Sequence, residues 1–395
     1  MGNKNKGITG EAVRASYREI INFVVLSLLF IGYALTFTVP KFYGATDSYV
    51  GVFVFCMLIV LLFNNVNVFG EIKKLNKELI VMAVLVIVTG ANLLIVNSGK
   101  GAFFVAVNFA LIFYLSDKLV LSRRLMLALS GMYMGLIILW LFVIYPKLFT
   151  DYTQYGYNTN TAATFTIYTM LCAFMFLEQL LEKSEFVGLF MVIILIKGLQ
   201  LSLWHRARGA FIMLILFVLF RFIIPKKWWS IKKLYCFLIL FMTLGSLLFV
   251  SLYVWVGSKG VNFQMPFFYK NVFSGRDAIW YEFFSLFIKK PLTGIGTNVT
   301  IESFFEFNVH NAMYNFLVIH GIIVFALILY FVYKRFQGMR KIILNNSVAL
   351  SAMCALTAVF FESFFDVDLI WADYSLNLML LLCVINSYKK DTEIK

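Results

Sequence analysis

The chain alternates long apolar stretches with short polar segments. A helix needs about 20 mostly apolar residues to cross the hydrocarbon core of a bilayer. Stretches of roughly this length recur along all 395 residues, and they predict twelve transmembrane helices, at residues 20–38, 50–67, 78–96, 101–116, 124–144, 161–179, 185–203, 209–225, 234–256, 311–333, 344–364 and 369–387. The pattern therefore predicts an all-α, polytopic integral membrane protein in which residues 1–395 form a single membrane domain.

The composition supports this prediction, and the charges orient the helices. The chain is 62% hydrophobic and 14% charged, proportions outside the range of soluble globular proteins. Most of its 34 lysines and arginines fall at the two termini and in alternate segments between the apolar stretches, such as 68–77 and 117–124. Because cytoplasmic loops carry such an excess, both termini are predicted to face the cytoplasm. The net charge of +14 then indicates topology and contact with membrane lipids, and nucleic acid is not an expected partner.

Two longer polar segments are predicted on the extracytoplasmic side, at 145–160 and 257–310. Within the second, apolar residues that follow Asp277 recur at the i, i+3, i+4 spacing of a helix. This amphipathic helix is too short to span a bilayer and is expected to lie at the membrane interface. Ser274 has the spacing of a capping box with Asp277, and Pro291 ends the helix.

Three arginines on the predicted extracytoplasmic side are exceptions to the charge pattern, in which most basic residues are cytoplasmic. Arg206 and Arg208 precede the span that begins at residue 209, and Arg276 lies in the first turn of the amphipathic helix. A guanidinium group can bind phosphate in a bidentate manner, and a helix N-terminus adds unpaired N–H groups and a positive dipole end. An anion site is therefore indicated. Arginines that anchor a helix end at the membrane surface are the alternative.

Two further basic side chains are candidates for the same site. Lys197 lies inside a span near its outer end, where it either faces a polar cavity or extends to the interface. His310, followed by Asn311, stands where the long loop meets the next span. An imidazole with its ordinary pKa of about 6.5 suits proton abstraction from a hydroxyl at neutral pH. A hydrogen-bonded interfacial histidine is the alternative.

The remaining candidates are turn-forming or polar residues of the outer loops. Gly294 and Gly296 follow Pro291, and Asn158 and Asn160 close the shorter loop, where ordinary turns or helix caps are the alternative. The outer face has no His, Cys and Asp residues at metal-ligand spacing and no glycine-rich lysine loop for nucleotides, so neither a metal nor a cofactor is expected. The outer acids, whose spacing singles out no pair, are Glu302, Glu306, Glu362, Asp366 and Asp368.

Together these motifs resemble the O-antigen polymerase and ligase family of bacterial membrane glycosyltransferases. The resemblance runs from about Ser202 to Tyr330, and it rests on the order, spacing and outward placement of the motifs. The motifs are Arg208-Gly209-Ala210, Ser274-Gly275-Arg276 with Trp280, Pro291-Leu292-Thr293-Gly294-Ile295-Gly296, and His310-Asn311 leading to His320-Gly321. The segment Asn158-Thr159-Asn160 is similar to an Asn-rich stretch that precedes a span in relatives. The chain departs from the family pattern at Met313, usually aromatic, and at Val324, often glycine.

The resemblance implies transfer of a glycan from undecaprenyl pyrophosphate to a sugar hydroxyl at the outer face of the cytoplasmic membrane of a bacterium. Arg276 and Arg208 would stabilise the diphosphate leaving group, and His310 would take the hydroxyl proton. The amphipathic helix would act as a lid over the site. The residues expected to bind substrate are Asn311, which would orient the hydroxyl, and Arg206, Gly294, Gly296, Trp280, Ser274, Asn160 and Lys197.

Within the family, we predict a polymerase of repeat units for capsular or secreted polysaccharide. A flippase and a chain-length regulator of the same pathway are its expected partners. A ligase-type transfer to another acceptor is the first alternative. A flippase or transporter of the lipid-linked oligosaccharide is the second, since twelve spans fit that class, but transporters tend to place polar residues at mid-membrane within repeated halves. A non-catalytic membrane scaffold leaves the outward arginines unexplained.

Overall fold

The computed structural model describes residues 4–144, 159–181, 185–261, 263–303 and 308–389. The chain is almost entirely helical, at 79%, and β pairing within those ranges is confined to one isolated bridge between Gln264 and Asn271. The all-α prediction is confirmed. Most of the predicted 145–160 loop, with Asn158, lies outside the described residues, as does Glu306.

Fifteen α-helices follow one another in this part of the chain. In order they are α1 (Lys4–Thr38), α2 (Pro40–Asn65), α3 (Val68–Lys73), α4 (Lys77–Ile95), α5 (Lys100–Leu115), α6 (Arg123–Ile138), α7 (Thr159–Leu181), α8 (Glu185–Trp204), α9 (Arg208–Val218), α10 (Lys226–Ser230), α11 (Lys232–Gly257), α12 (Arg276–Phe287), α13 (Ala312–Asn345), α14 (Ser347–Glu362) and α15 (Ser375–Ser387). Short π-helical turns extend α6 to Ile144 and α9 to Ile223, and a 3₁₀ turn at Ala372–Tyr374 precedes α15.

Eight helical segments among the described residues are long and apolar enough to cross a membrane. They are Tyr17–Thr38, Gly44–Asn65, Lys77–Ile95, Arg123–Ile144, Asn160–Leu180, Phe186–Trp204, Lys232–Gly257 and Ala312–Asn345. The other four predicted spans, at 101–116, 209–225, 344–364 and 369–387, fall on the shorter helices α5, α9, α14 and α15. The protein is therefore a membrane-embedded helical bundle.

Helices α14 and α15 lie in the interior of this bundle, and helices such as α4 and α8 lie at its periphery. The residues of α14 and α15 are almost all buried. By contrast, α4 and α8 carry exposed apolar side chains such as Leu94 and Phe186, which are 87% and 83% exposed. Outward apolar side chains suit contact with lipid tails, which are as apolar as leucine. Because α14 packs on α7, α9 and α15, its end lies beside the starts of α7 and α9.

At one end of the bundle, called the basic end below, basic residues pair with buried or half-buried acids: Lys334 and Arg335 lie 2.8 and 3.6 Å from Glu78, and Arg335 lies 3.1 Å from Asp117. The starts of α7, α9, α12 and α13 and the end of α14 meet at the other end, where the long loop lies. The loop-bearing end is therefore the place where residues from many segments converge.

The helix predicted within the long loop is present as α12. It begins at Arg276, and it buries Trp280 where it packs on α11 and α13. The predicted capping box is wrong. The N-cap residue is Gly275, in the left-handed conformation with φ of +78°. Among the described residues, no side chain accepts a capping hydrogen bond at the start of α12. The hydroxyl of Ser274 instead accepts a hydrogen bond from Arg208, at 2.6 Å.

The segment 291–296 packs against a break in α13. At Gly321 the backbone leaves the helical conformation, with φ of 82° and ψ of 171°. A break of this kind leaves carbonyl groups of the preceding turn without helical partners. The segment supplies those partners, because its N–H groups donate to the carbonyl oxygens of Val318 and Ile319, at 2.9 and 3.1 Å. The loop is thereby fixed to the helix that begins just after His310.

Candidate functional site

A polar cavity of about 270 Å³ lies at the loop-bearing end of the bundle. Its polar lining side chains are Asn160, Thr164, Arg208, Lys270, Ser274, Arg276, His310, Glu362 and Asp366. A second cavity, of about 240 Å³ between α1, α2 and the 3₁₀ turn, is lined by apolar and aromatic side chains, with Asp373 as the one charged residue in that lining. Groups able to bind an ion and move a proton are therefore concentrated in the first cavity.

The imidazole of His310 contacts a carboxylate. Its Nδ1 lies 3.4 Å from Oδ1 of Asp366. This contact favours the tautomer with its proton on Nδ1, so that Nε2 is the basic nitrogen. His310 has a φ of +50°, which is uncommon for a residue other than glycine. Its backbone N–H donates to Oδ1 of Asn308 at 2.8 Å.

Asn311 holds this histidine in place. Its Oδ1 caps α13 by accepting from the Tyr314 N–H, and it also accepts from the Ser246 hydroxyl, each at 2.9 Å. Its Nδ2 donates to the Phe364 carbonyl at 3.0 Å, which ties the start of α13 to the segment after α14. The predicted role of Asn311, to orient the substrate hydroxyl, needs correction. The side chain is fully buried and acts as a helix cap that positions its neighbour.

Arg276 approaches the other oxygen of the same acid. Its Nη2 lies 3.7 Å from Oδ2 of Asp366. The side chain of Asp366 is 31% exposed because it faces the cavity, and protein surrounds it on its other sides. Burial alone would raise the pKa of Asp366, but the hydrogen bond with His310 and the charge of Arg276 outweigh it, so the pKa is lowered. Asp366 is therefore ionised at neutral pH and lies between an imidazole and a guanidinium.

Arg208, the first residue of α9, is held by the long loop. Its guanidinium donates to the carbonyl oxygens of Asn271 and Val272, at 3.0 and 2.8 Å, and to Ser274. Burial lowers the pKa of Arg208, and the charge of Arg276 lowers it further. Two guanidinium groups are thus held close enough to repel each other, a repulsion that a bound anion would offset.

Lys270 adds a third cation to the cavity. Its Nζ donates to Oδ1 of Asn160 at 2.9 Å. Burial lowers the pKa of Lys270, as do the charges of Arg208, Arg276 and Arg206. The pKa shifts of Lys270 and Arg208 have the same origin, since each side chain is partly removed from water and placed beside other cations. Such a concentration of positive charge attracts and binds anions.

The structure brings five of the predicted site residues together in the cavity: Asn160, Arg208, Ser274, Arg276 and His310. Arg206 does not line it. Its guanidinium lies over the ring of Tyr269, 5.1 Å from the ring centroid, and its charge reaches Lys270. Arg206 is therefore placed near the cavity rather than in it.

Lys197 and Trp280 also lie outside the cavity lining. The Nζ of Lys197 donates to Oε1 of Gln200, one turn along α8, at 3.3 Å. Trp280 is fully buried, and its Nε1 donates to the carbonyl of Val309 at 2.6 Å. Neither of these predicted substrate-binding residues therefore borders the cavity. Trp280 instead supports the backbone immediately before His310.

Gly294 and Gly296 serve packing. Both have positive φ, at +76° and +73°. A Cβ on Gly294 would lie 2.3 Å from the carbonyl oxygen of Ile319, and one on Gly296 would lie 2.9 Å from Val96. Glycine is therefore needed for the loop to approach the break in α13, and the predicted contact of these residues with substrate is corrected to a structural role.

Sequence reasoning missed Lys270 and left Asp366 among five acids. Each had a local signal, because Lys270 is a basic residue in the loop predicted to be extracytoplasmic, a side that basic residues avoid, and Asp366 lies in a short connection between two apolar helices. Their partners, however, are 110 and 56 residues away in the chain, at Asn160 and His310. Local spacing gives no indication of such contacts.

Comparisons of the chain with protein-family models and with curated proteins gave no match. The function is therefore argued from the geometry of the cavity together with the motif resemblance described above.

Proposed function

We propose that the protein is a membrane glycosyltransferase of the O-antigen polymerase type, which polymerises oligosaccharide repeat units carried on undecaprenyl pyrophosphate. One observation carries the proposal. Arg208, Lys270 and Arg276 line a cavity that also contains the His310–Asp366 pair. The cations suit a diphosphate, and the imidazole–carboxylate pair suits removal of a proton from a hydroxyl group.

The charge of the cavity supports a diphosphate ligand. Three cations face two carboxyl groups, Asp366 and Glu362, so positive charge is in excess even when both carboxyl groups are ionised. A diphosphate diester carries negative charge on both phosphates and accepts hydrogen bonds in the bidentate geometry that guanidinium groups offer. Binding it would relieve the repulsion between Arg208 and Arg276. In the proposed site these groups provide the charge stabilisation that metal ions provide in other phosphate-transfer sites.

In the proposed reaction the acceptor hydroxyl oxygen bonds to the anomeric carbon of the donor sugar while the bond from that carbon to the phosphate oxygen breaks. The electron pair of the broken bond goes to the diphosphate, where Arg276 and Arg208 stabilise the added charge. The hydroxyl proton goes to Nε2 of His310, and Asp366 stabilises the imidazolium that forms. Asn311 acts indirectly, because it fixes His310 and the Asp366 segment to each other.

In the proposed topology, this cavity lies at the extracytoplasmic side of the membrane. In this topology, α5, α9, α14 and α15 complete twelve spans, both termini are cytoplasmic, and the basic end of the bundle faces the cytoplasm. The polyprenyl tail lies among the spans and α12 lies over the site. Lipid-linked repeat units reach the outer face through a flippase, and a chain-length regulator of the same pathway acts on the product.

A deletion strain complemented with variants tests the proposal. Cells with His310→Ala or Arg276→Ala are expected to insert the protein normally, accumulate lipid-linked single repeats and lack long polymer. Arg340→Ala, at the basic end where the side chain donates to the Ser230 carbonyl, is the matched control and should restore polymer.

The same glycan profile separates the alternatives. Lipid-linked units held on the inner leaflet of the deletion strain would favour a flippase, and complete but unattached polymer would favour a ligase. Long polymer in both the His310 and the Arg276 variants would contradict the catalytic assignment.

A further inference from the structure

Glu362 is a carboxyl group of the cavity that the reaction above does not use. It is the last residue of α14, it lines the cavity, and it is only 1% exposed. In the part of the chain that the structure describes, no N–H or O–H group donates to its Oε2, although buried polar oxygens normally accept hydrogen bonds. A carboxyl group in this position requires an explanation.

Glu362 lies close to a second buried acid, Asp368. Two buried carboxyl groups this close are not both ionised, because their negative charges would repel each other. Asp368 is itself buried, and burial together with the charge of Asp366 raises its pKa well above the ordinary value. The pair therefore carries less negative charge than two ionised acids would, and the cations of the cavity remain available to an anionic ligand.

Gly209 packs directly against this carboxyl group. A Cβ at this position would lie 2.6 Å from Oε1 of Glu362, so any other residue would displace the carboxyl. Gly209 also lines the cavity, together with Asn160 and Thr164 of α7, which add uncharged polar groups. The cavity thus contains polar groups of two kinds, the cations Arg208, Lys270 and Arg276 and largely uncharged groups on α7 and α14.

We infer that Glu362 binds a hydroxyl group of the acceptor sugar in the cavity that it lines together with Gly209. The inference rests on the proposed function and deepens it, because it divides the cavity between cations for the donor diphosphate and uncharged polar groups for the acceptor. A protonated carboxyl group can both donate and accept a hydrogen bond, as a sugar hydroxyl can. The acceptor is a neutral sugar at this contact, since a sugar carboxylate would meet the negative charge of Asp366.

The test uses the purified full-length protein in lipid nanodiscs. Undecaprenyl-pyrophosphate-linked repeat units serve as donor at saturating concentration, and a free oligosaccharide of the same repeat serves as acceptor. Glu362→Gln keeps the size and hydrogen bonding of the side chain, so its acceptor KM should stay within about threefold of the wild-type value. Glu362→Ala should raise the acceptor KM roughly tenfold or more, because it removes a hydrogen bond within a buried site. Gly209→Ala should raise it as well.

Donor binding separates a binding role from a structural one. Undecaprenyl pyrophosphate alone should stabilise both Glu362 variants and Gly209→Ala against heat as much as it stabilises the wild type, and it should fail to stabilise Arg276→Ala. An unchanged acceptor KM in Glu362→Ala, or loss of donor binding in Glu362→Gln, would overturn the inference. Failure of the proposed function would give a different result from failure of this inference, because the wild-type protein would then make no product from lipid-linked units.

Discussion

His310 combines a proposed chemical role with an unfavourable backbone conformation. Its φ of +50° lies in the left-handed region, which costs a non-glycine residue about 1–2 kcal/mol. The side chain of Asn308 and the hydrogen bonds of Asn311 on either side maintain this conformation. Strain of this kind often accompanies functional residues, and here it aims the imidazole at Asp366.

Replacing His310 with glycine should therefore separate stability from activity. Glycine adopts positive φ without strain, so His310→Gly should melt at or above the wild-type temperature. Its transfer rate should nevertheless fall by roughly 10²–10⁴, the usual contribution of a general base. Thermal unfolding in detergent and a transfer assay with purified protein measure the two effects. Loss of folding and activity together would indicate that His310 is mainly structural.

Lys270 provides a pH-dependent prediction. Its pKa in the folded protein is lowered by burial and by three arginines, so the charged form costs folding free energy below the folded pKa. That cost disappears as pH rises through the folded pKa, where Lys270 loses its proton. Lys270→Met should thus melt a few degrees above the wild type at pH 7 while binding undecaprenyl pyrophosphate less tightly. The gain in melting temperature should shrink at alkaline pH. A gain that stays constant with pH would mean that the charge is not its cause.

At the scale of elements, the contact between the 291–296 segment and α13 sets the geometry beneath the site. The segment follows α12, which carries Arg276, and α13 follows His310, so this contact links two helices that contribute to the cavity. The break at Gly321 makes the contact possible, because a continuous helix would have used the same carbonyl groups internally.

Gly294→Ala should disrupt this contact. The added Cβ would meet the Ile319 carbonyl oxygen at 2.3 Å, at a position with φ of +76°, and neither backbone can move without losing hydrogen bonds. We expect a loss of at least about 2 kcal/mol of stability, measured as lower yield and lower melting temperature. Gly338→Ala, in α13 itself with no atom within 4 Å of its Cβ among the described residues, is the matched control and should be neutral or stabilising. Equal melting of the two variants would contradict the packing role.

Much of the element structure could be predicted from local pattern. Apolar stretches located the helices, and i, i+3, i+4 spacing located α12 because helix periodicity is a property of neighbouring residues. Local pattern gave the wrong cap for α12, since Ser274 bonds with Arg208, a residue 66 positions away. The resemblance gave a substrate role to Asn311, which instead caps its own helix and bonds to two other segments of the fold, α11 and the segment after α14.

For the whole molecule, charge placement and position in the long loop were the useful sequence signals. Arg208 and Arg276 were predicted because they lie on the predicted extracytoplasmic side, which basic residues avoid. His310 was predicted because it stands where the long loop meets the next span, and the structure places all three in one cavity. The positions of Lys270 and Asp366 in that cavity depend on which helix ends meet. The packing of the bundle decides which helix ends meet, and this packing cannot be read from the order of the residues.

The proposed topology makes a prediction about accessibility. After replacement of Cys56 and Cys236, the three remaining cysteines are buried, so an added cysteine can be labelled selectively. Lys289→Cys, at the end of α12, should react with a membrane-impermeant maleimide on intact cells. Lys341→Cys, near the end of α13, should react only after permeabilisation. The reverse pattern would place the cavity in the cytoplasm and exclude the proposed reaction.

The central claim is that one cavity binds a lipid-linked diphosphate and deprotonates a sugar hydroxyl. Polymer formation by the purified protein from undecaprenyl-pyrophosphate-linked repeat units, measured with donor affinity in the same preparations, tests it most directly. His310→Ala is predicted to keep wild-type donor affinity and to form polymer roughly 10²–10⁴ times more slowly, whereas Arg276→Ala is predicted to lose both. Polymer formation at the wild-type rate by His310→Ala, or undiminished donor affinity in Arg276→Ala, would contradict the claim.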